Sequence, residues 1–265
     1  MSDEYNYLLN KVFNEDCLCT MSKIPDNFID LIITSPPYDK LRKYNGYIFD
    51  FESIAKEIFR IVKQGGVVVW VVNDSTIKGS ETGTSFKQAL YFKEVGFKLH
   101  DTMIFAKNNF IPLTHNRYEQ QFEYMFIFSK GKPKTFNPLL EPSKCFGKIN
   151  TWGFYKGKDE KNYANRFREN QEKIPYKEYK YKSNIWYYST GSKKSLSHSA
   201  AFPEKLVEDH ILSWSNINDI VFDPMCGSGT VAFVAKKNKR NYIASEISAE
   251  YCKIIENRLN FTELF

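Results

Sequence analysis

Residues Ile29-Asp30-Leu31-Ile32-Ile33 form a short apolar run rich in β-branched side chains, the pattern of a fully buried strand. Thr34-Ser35-Pro36-Pro37-Tyr38 follows at once. Two consecutive prolines fix φ and withhold backbone donors, so the strand has to end there in a stiff corner. The corner has hydroxyls before it and an aromatic ring after it. In open α/β sheets the carboxyl ends of the strands are where ligands bind. Taken alone, the stretch is equally a proline turn that merely ends a strand.

The rest of the chain supplies the sheet. Leu18 to Ile24 is expected to form a short helix after Asn14-Glu15-Asp16, an acid placed just past a short apolar stretch. Phe51, Ile54, Ala55, Ile58, Phe59 and Val62 recur at helical spacing, with Gly65-Gly66 as the expected stop. Val67 to Val72 is a second buried strand ending at Asn73-Asp74, followed by a helix over about 85–95 that ends at Gly96. Asp101–Ala106 and Phe122–Phe128 are further strands. After an irregular stretch come a helix from Pro203, a strand at Ile220-Val221-Phe222, a helix over Val231–Lys237, a strand at Tyr242-Ile243-Ala244 and a closing helix over Ala249–Leu259. Alternating strands and helices predict a parallel α/β sheet with right-handed crossovers and one domain with an elaboration.

The elaboration stands out by charge. Lys130 to Lys194 carries 16 Lys/Arg and 6 Asp/Glu, a local +10, whereas the remainder carries 21 basic and 25 acidic residues. The same segment holds 13 aromatics and the prolines Pro133, Pro138, Pro142 and Pro175. A phosphate backbone and unstacked bases attract basic residues interleaved with aromatics, so residues 131–195 are expected to be an inserted, loop-rich region facing a polyanion. Residues 1–130 and 196–265 then make the catalytic domain. Five cysteines, odd in number and without CxxC spacing, point to a reducing cytoplasm and to no metal site. No apolar run approaches the roughly 20 residues that span a membrane, so no membrane partner is expected.

A second candidate site is Asp223-Pro224-Met225-Cys226-Gly227-Ser228-Gly229-Thr230, between the strand at 220–222 and the helix at 231–237. Gly227 and Gly229 permit close backbone approach to a ligand at a helix start. With Ala232 they give a Gly-x-Gly-x-x-Ala fingerprint, and Glu246, 19 residues past Gly227, sits where an acid holds ribose hydroxyls. Asp223 argues against a dinucleotide: a carboxylate at the strand end repels a pyrophosphate and suits a ligand bearing an ammonium group. S-adenosylmethionine has an α-ammonium, a ribose and an adenine, and no phosphate. Asp223 for the ammonium, Glu246 for the ribose and Asp16 near the adenine form a consistent set.

These residues resemble a known family. Thr34–Tyr38 resembles the (Asp/Asn/Ser)-Pro-Pro-(Tyr/Phe) catalytic motif of amino-group DNA methyltransferases. Asp223–Thr230 is similar to their cofactor motif, Asp-Pro-Phe-x-Gly-Ser-Gly-Thr, with Met225 in place of Phe. His198-Ser199-Ala200-Ala201-Phe202-Pro203, with Leu206, looks like the motif preceding that loop in many members. The order of catalytic motif, basic insertion and cofactor motif is that of the β group. The resemblance implies a Rossmann-like S-adenosylmethionine-dependent sheet and methyl transfer to the exocyclic amine of a base flipped from double-stranded DNA. It implies a restriction-modification context, where a cognate restriction endonuclease acts separately.

By the same resemblance Ser35, Pro36, Pro37 and Tyr38 hold the amine and base. Thr34, Asp223, Pro224, Cys226, Gly227, Ser228, Gly229, Thr230, Glu246 and Asp16 surround the cofactor. Lys40, Arg42, Lys43, Arg166 and Arg168 are candidates for touching DNA. Ser at the first motif position points to cytosine N4. Adenine N6 is the alternative, followed by RNA or protein-amide methylation and a DNA-binding protein without catalysis.

Overall fold

A computed structural model of the chain describes residues 3–37, 49–109, 116–148, 175–189 and 202–260. Tyr38, Lys40, Arg42, Lys43, Arg166, Arg168 and the stretch 198–201 lie outside the described residues.

In chain order the elements are a 3-10 turn at Asp3–Leu8, β1 (Lys11–Phe13), α1 (Cys17–Lys23), β2 (Ile29–Thr34), α2 (Phe51–Ile61), β3 (Val62–Val72), a small hairpin of β4 (Thr76–Ile77) and β5 (Ser80–Glu81), α3 (Thr84–Val95), β6 (Lys98–Lys107) and β7 (Phe122–Ser129). Then come β8 (Leu140–Pro142), β9 (Tyr179–Tyr181), β10 (Ile185–Tyr188), α4 (Glu204–Trp214), β11 (Ile220–Asp223), α5 (Thr230–Lys237), β12 (Asn241–Ser245) and α6 (Ala249–Asn260). Eight strands make one sheet in the order β1-β12-β11-β2-β3-β7-β6-β10.

The sheet is mixed, not wholly parallel as expected from the alternation of elements. β7 runs antiparallel to both β3 and β6, whereas every other pairing is parallel. Residues 108–121 join β6 to β7 with no helix among the described ones, and a parallel crossover usually takes a helix, so the chain returns antiparallel beside β6.

β2 shows why this sheet needs helices on both faces. Ile29 and Ile32 are fully buried in a core with Met21 of α1, Ile54 and Ile58 of α2 and Phe92 of α3. Leu31 and Ile33 are equally buried, and strand alternation sends Leu31 to the other face, where α4 packs against β2 and α5. Trp70 of β3 anchors the first core, its ring 5.0 Å from Phe92 and its Nε1 donating to Gln88 Oε1 at 2.9 Å. A buried indole N–H without such an acceptor would cost about 1–3 kcal/mol.

Two expectations are corrected locally. α2 ends at Ile61, ahead of Gly65-Gly66, because Val62 already has the extended φ −72°, ψ 133° of β3. The glycines lie inside β3, where a Cβ on Gly66 would meet Val62 Cγ1 at 2.7 Å, so they serve close packing and not helix termination. Ile185–Tyr188, expected within the insertion, is the edge strand β10 paired with β6, with Trp186 and Tyr188 buried and Ile185 and Tyr187 exposed.

The chain divides into two compact units, 1–137 with 184–265, and 138–183. In the second unit β8 and β9 pair antiparallel, with Leu140 opposite Tyr181 and Lys180 bridging Glu141 at 2.8 Å. Among the described residues no helix is long and apolar enough to cross a membrane.

Candidate active site

β2 and β11 are adjacent and parallel, but the chain leaves them in opposite directions, to β3 through α2 and to β12 through α5. Such a reversal opens a crevice at the carboxyl ends of the two strands. Thr34 closes β2 and Asp223 closes β11, and Thr34 Oγ1 donates to Asp223 Oδ1 at 2.8 Å. Both are buried, Thr34 at 0% and Asp223 at 3% exposure. The corner and the glycine loop, 189 residues apart in sequence, are thereby joined directly.

The loop after Asp223 is held by its own backbone and by β12. Met225 N donates to Asp223 Oδ1 (3.1 Å), and Ser245 Oγ donates to Pro224 O (2.7 Å) while Cys226 N donates to Ser245 O (3.0 Å). Gly227 N donates to Glu246 Oε2 (2.9 Å), and Ser248 N to Glu246 Oε1 (2.9 Å). Gly229 N turns back to Cys226 O at 2.7 Å. Gly229 has φ 72°, and a Cβ there would come within 2.7 Å of Ile255 Cγ2. Only glycine fits this backbone against α6.

Glu246 therefore has two jobs within reach. As a capping acid it binds Ser248 N, and as a clamp it fixes Gly227, yet each carboxylate oxygen retains acceptor capacity. β1 brings its own acids to the same edge, since Glu246 N donates to Phe13 O (3.0 Å) and Asn14 Nδ2 to Glu246 O (2.9 Å). Asp16 caps α1 by accepting from Leu18 N at 2.7 Å, whereas Glu15 turns away to Lys23 and Thr20. Ser35 and Pro37 are half-buried and Pro36 is buried, directly after Thr34. Asn14 and Ser245 were not singled out from sequence. Neither belongs to a pattern, and only the pairing of β1 and β11 with β12 brings them to the loop.

Electrostatically the crevice suits a cation. Burial, with a smaller contribution from the nearby Glu246 charge, pushes the Asp223 carboxyl up to about 7, against the hydrogen bonds from Thr34 and Met225. Burial also raises Glu246, opposed by the N–H groups of Ser248, Gly227 and Ile247. The Cys226 thiol lies well above its ordinary value through burial and the same two acids, so it stays protonated and is no nucleophile. Two carboxylates above a glycine loop repel a phosphate and complement an ammonium group and hydroxyl donors. Among the described residues both hydrogen bonds to Asp223 land on Oδ1, leaving Oδ2 to a ligand.

Known proteins are similar to this chain in sequence and in fold. A DNA methylase family model matches residues 29–257. The orphan methyltransferase M.BamHII of Bacillus amyloliquefaciens is 54% identical over 244 residues, covering 89% of this chain and 90% of the relative. Among solved structures, the PvuII DNA methyltransferase (cytosine-N4-specific) matches with a TM-score of 0.69 at 21% identity, over 94% of this chain and 85% of that one. An M1.HpyAVI–S-adenosylmethionine complex matches with a TM-score of 0.61 at 24% identity, over 94% of this chain and 98% of that one. The chain belongs to the N6/N4 DNA methylase family, the S-adenosylmethionine-dependent amino-DNA methyltransferases.

Proposed function

We propose that this enzyme methylates the N4 amine of a cytosine extruded from double-stranded DNA. The observation that carries the reading is the Thr34–Asp223 hydrogen bond, which sets the proline corner and the glycine loop side by side at one sheet edge. Bound S-adenosylmethionine supplies an electrophilic methyl group on a sulfonium centre. Asp223 holds its ammonium, Glu246 its ribose hydroxyls and Asp16 its adenine end. The backbone from Pro224 to Thr230 forms the floor.

An aromatic amine is a poor nucleophile because its lone pair is delocalised into the ring. The Ser35 hydroxyl and the Pro36 carbonyl accept hydrogen bonds from the amine and draw it toward tetrahedral geometry. Pro37 keeps that carbonyl free of a helical or ladder partner and rigidly aimed. Tyr38 stacks on the extruded base and replaces part of the stacking lost from the duplex. Bound S-adenosylmethionine would supply the methyl group to the amine so held, and the surplus proton of the amine would pass to water. Most of the rate comes from holding the two reactants in line.

Ser35 at the first corner position, rather than an acid or amide, supports cytosine over adenine. Residues 138–183, with 11 Lys/Arg against 6 Asp/Glu and their aromatics, form the target-recognition region, with Arg166 and Arg168 in it, and Lys40, Arg42 and Lys43, which follow the corner in sequence, add further DNA contacts. The modification needs no endonuclease in the same complex.

The test is mass spectrometry of nucleosides from DNA incubated with enzyme and cofactor. N4-methylcytosine should accumulate, and Ser35→Ala should lower its rate by about 10²-fold with cofactor affinity unchanged. Accumulation of N6-methyladenine instead would overturn the base assignment. A fully active Ser35→Ala variant would remove Ser35 from the mechanism.

A further inference from the structure

Arg258, on the last turns of α6, lies one residue beyond the span matched by the family model. Its side chain is only 11% exposed. Nη1 donates to Ser228 O and to Thr230 Oγ1, both at 3.1 Å, and Nη2 donates to Glu204 Oε1 at 2.8 Å. The guanidinium carbon stands 4.6 Å from the centre of the Phe233 ring. One side chain thus ties together the glycine loop, the first residue of α5 and the first residue of α4.

These contacts do more than fill space. The Ser228–Gly229 peptide is fixed from both ends, because Arg258 holds its carbonyl while its N–H donates to Cys226 O at 2.7 Å. Yet a cation is poorly placed here. It opposes the positive end of the α5 dipole and shares the loop with a positively charged cofactor. An apolar residue would pack on Phe233 without that electrostatic cost but could not bind the two oxygens. Glu204 supplies the balancing charge, and it directly follows Phe202-Pro203, the end of the stretch that precedes the cofactor loop in the family.

We infer that Arg258 is a positioning residue for cofactor binding: it locks the Ser228–Thr230 segment in its ligand-accepting form, with Glu204 as counter-charge. This rests on Asp223–Thr230 being the cofactor loop.

The test measures calorimetric Kd for S-adenosylmethionine and S-adenosylhomocysteine, the melting temperature of the free protein, and KM and kcat at saturating DNA. The variants are Arg258→Met, Arg258→Lys, Glu204→Gln and Asp223→Ala. Arg258→Met should raise Kd for both ligands and KM about tenfold, the effect of losing a charged hydrogen bond, with kcat changed by less than about twofold. Arg258→Lys, which keeps a donor for Ser228 O, should recover most of that loss. Glu204→Gln leaves the loop bonds in place but exposes the guanidinium charge. It should therefore weaken the cationic cofactor about threefold more than its neutral product, a discrimination that loosened packing would not produce. Wild-type affinity in Arg258→Met, or a loss confined to kcat, overturns the inference. If Asp223→Ala also binds normally, the loop assignment itself fails. If Asp223→Ala loses binding while Arg258→Met does not, only the role of Arg258 fails.

Discussion

Lowering the pH from about 7 to about 5.5 protonates the Asp223 carboxylate, while the cofactor's α-ammonium, with an ordinary pKa near 8, stays charged throughout. Burial carries Asp223 from its ordinary 3.8 to about 7 in the free protein. The ionised fraction is then about one half at pH 7 and about 3% at pH 5.5. If the ammonium binds only the carboxylate, the apparent Kd rises by the inverse of that fraction, about 15-fold over the range. Binding also displaces a proton, about half an equivalent at pH 7 and nearly a full one at pH 5.5. Titration calorimetry in two buffers of different ionisation enthalpy reads both quantities. Asp223→Asn should bind weakly, lose most of the pH dependence and release little proton. A wild-type Kd constant within about twofold, with no proton release, would falsify the ammonium contact.

Linkage gives the free protein a complementary behaviour. The fold favours protonated Asp223, so between about pH 4 and pH 7 the native chain holds more protons than the unfolded chain. That contribution is fully present below the window and is lost as pH rises through 7, by up to about 4 kcal/mol. Saturating cofactor should offset the loss, so the melting temperature gained on adding it should be larger at neutral than at acidic pH.

Two substitutions probe the frame around the site. Gly229→Ala places a Cβ within 2.7 Å of Ile255 on a backbone with φ 72°. It should cost about 1–3 kcal/mol in urea unfolding and weaken the cofactor together with it. Asp74 follows β3 and accepts from Ser85 N (2.9 Å), Thr82 Oγ1 (3.2 Å) and the Ser85 hydroxyl, holding the first turn of α3. Asp74→Ala should destabilise by about 2 kcal/mol, seen as a lower urea midpoint with an unchanged slope.

The elements around the site were legible where the signal is local. Ile29–Ile33 and Val67–Val72 declare buried strands by composition alone, and Gly227 and Gly229 mark a backbone that must approach something closely. Length and neighbour identity were less legible. The periodicity of α2 carried it on to the glycines, whereas Val62 already belonged to β3. Ile185–Tyr188 shares its aromatic composition with the basic segment before it, so nothing local separated an edge strand of the sheet from the insertion. The direction of β7 likewise depends on which neighbour a strand finds, which no residue of β7 encodes by itself.

By itself the sequence determined an α/β chain with a proline corner after one strand, an acid-flanked glycine loop after another and a basic segment between them. Only the tertiary structure decided that the corner and the glycine loop are one place. The strand order seats β2 against β11, and burial then forces Thr34 and Asp223 to satisfy each other at 2.8 Å. The same burial lifts Asp223 toward neutrality. The clamps of Glu246 on Gly227 and of Arg258 on Ser228 were hidden for the same reason. A hydrogen bond is specified by where two groups meet in space, and residue spacing along the chain carries that information only within a single turn or strand.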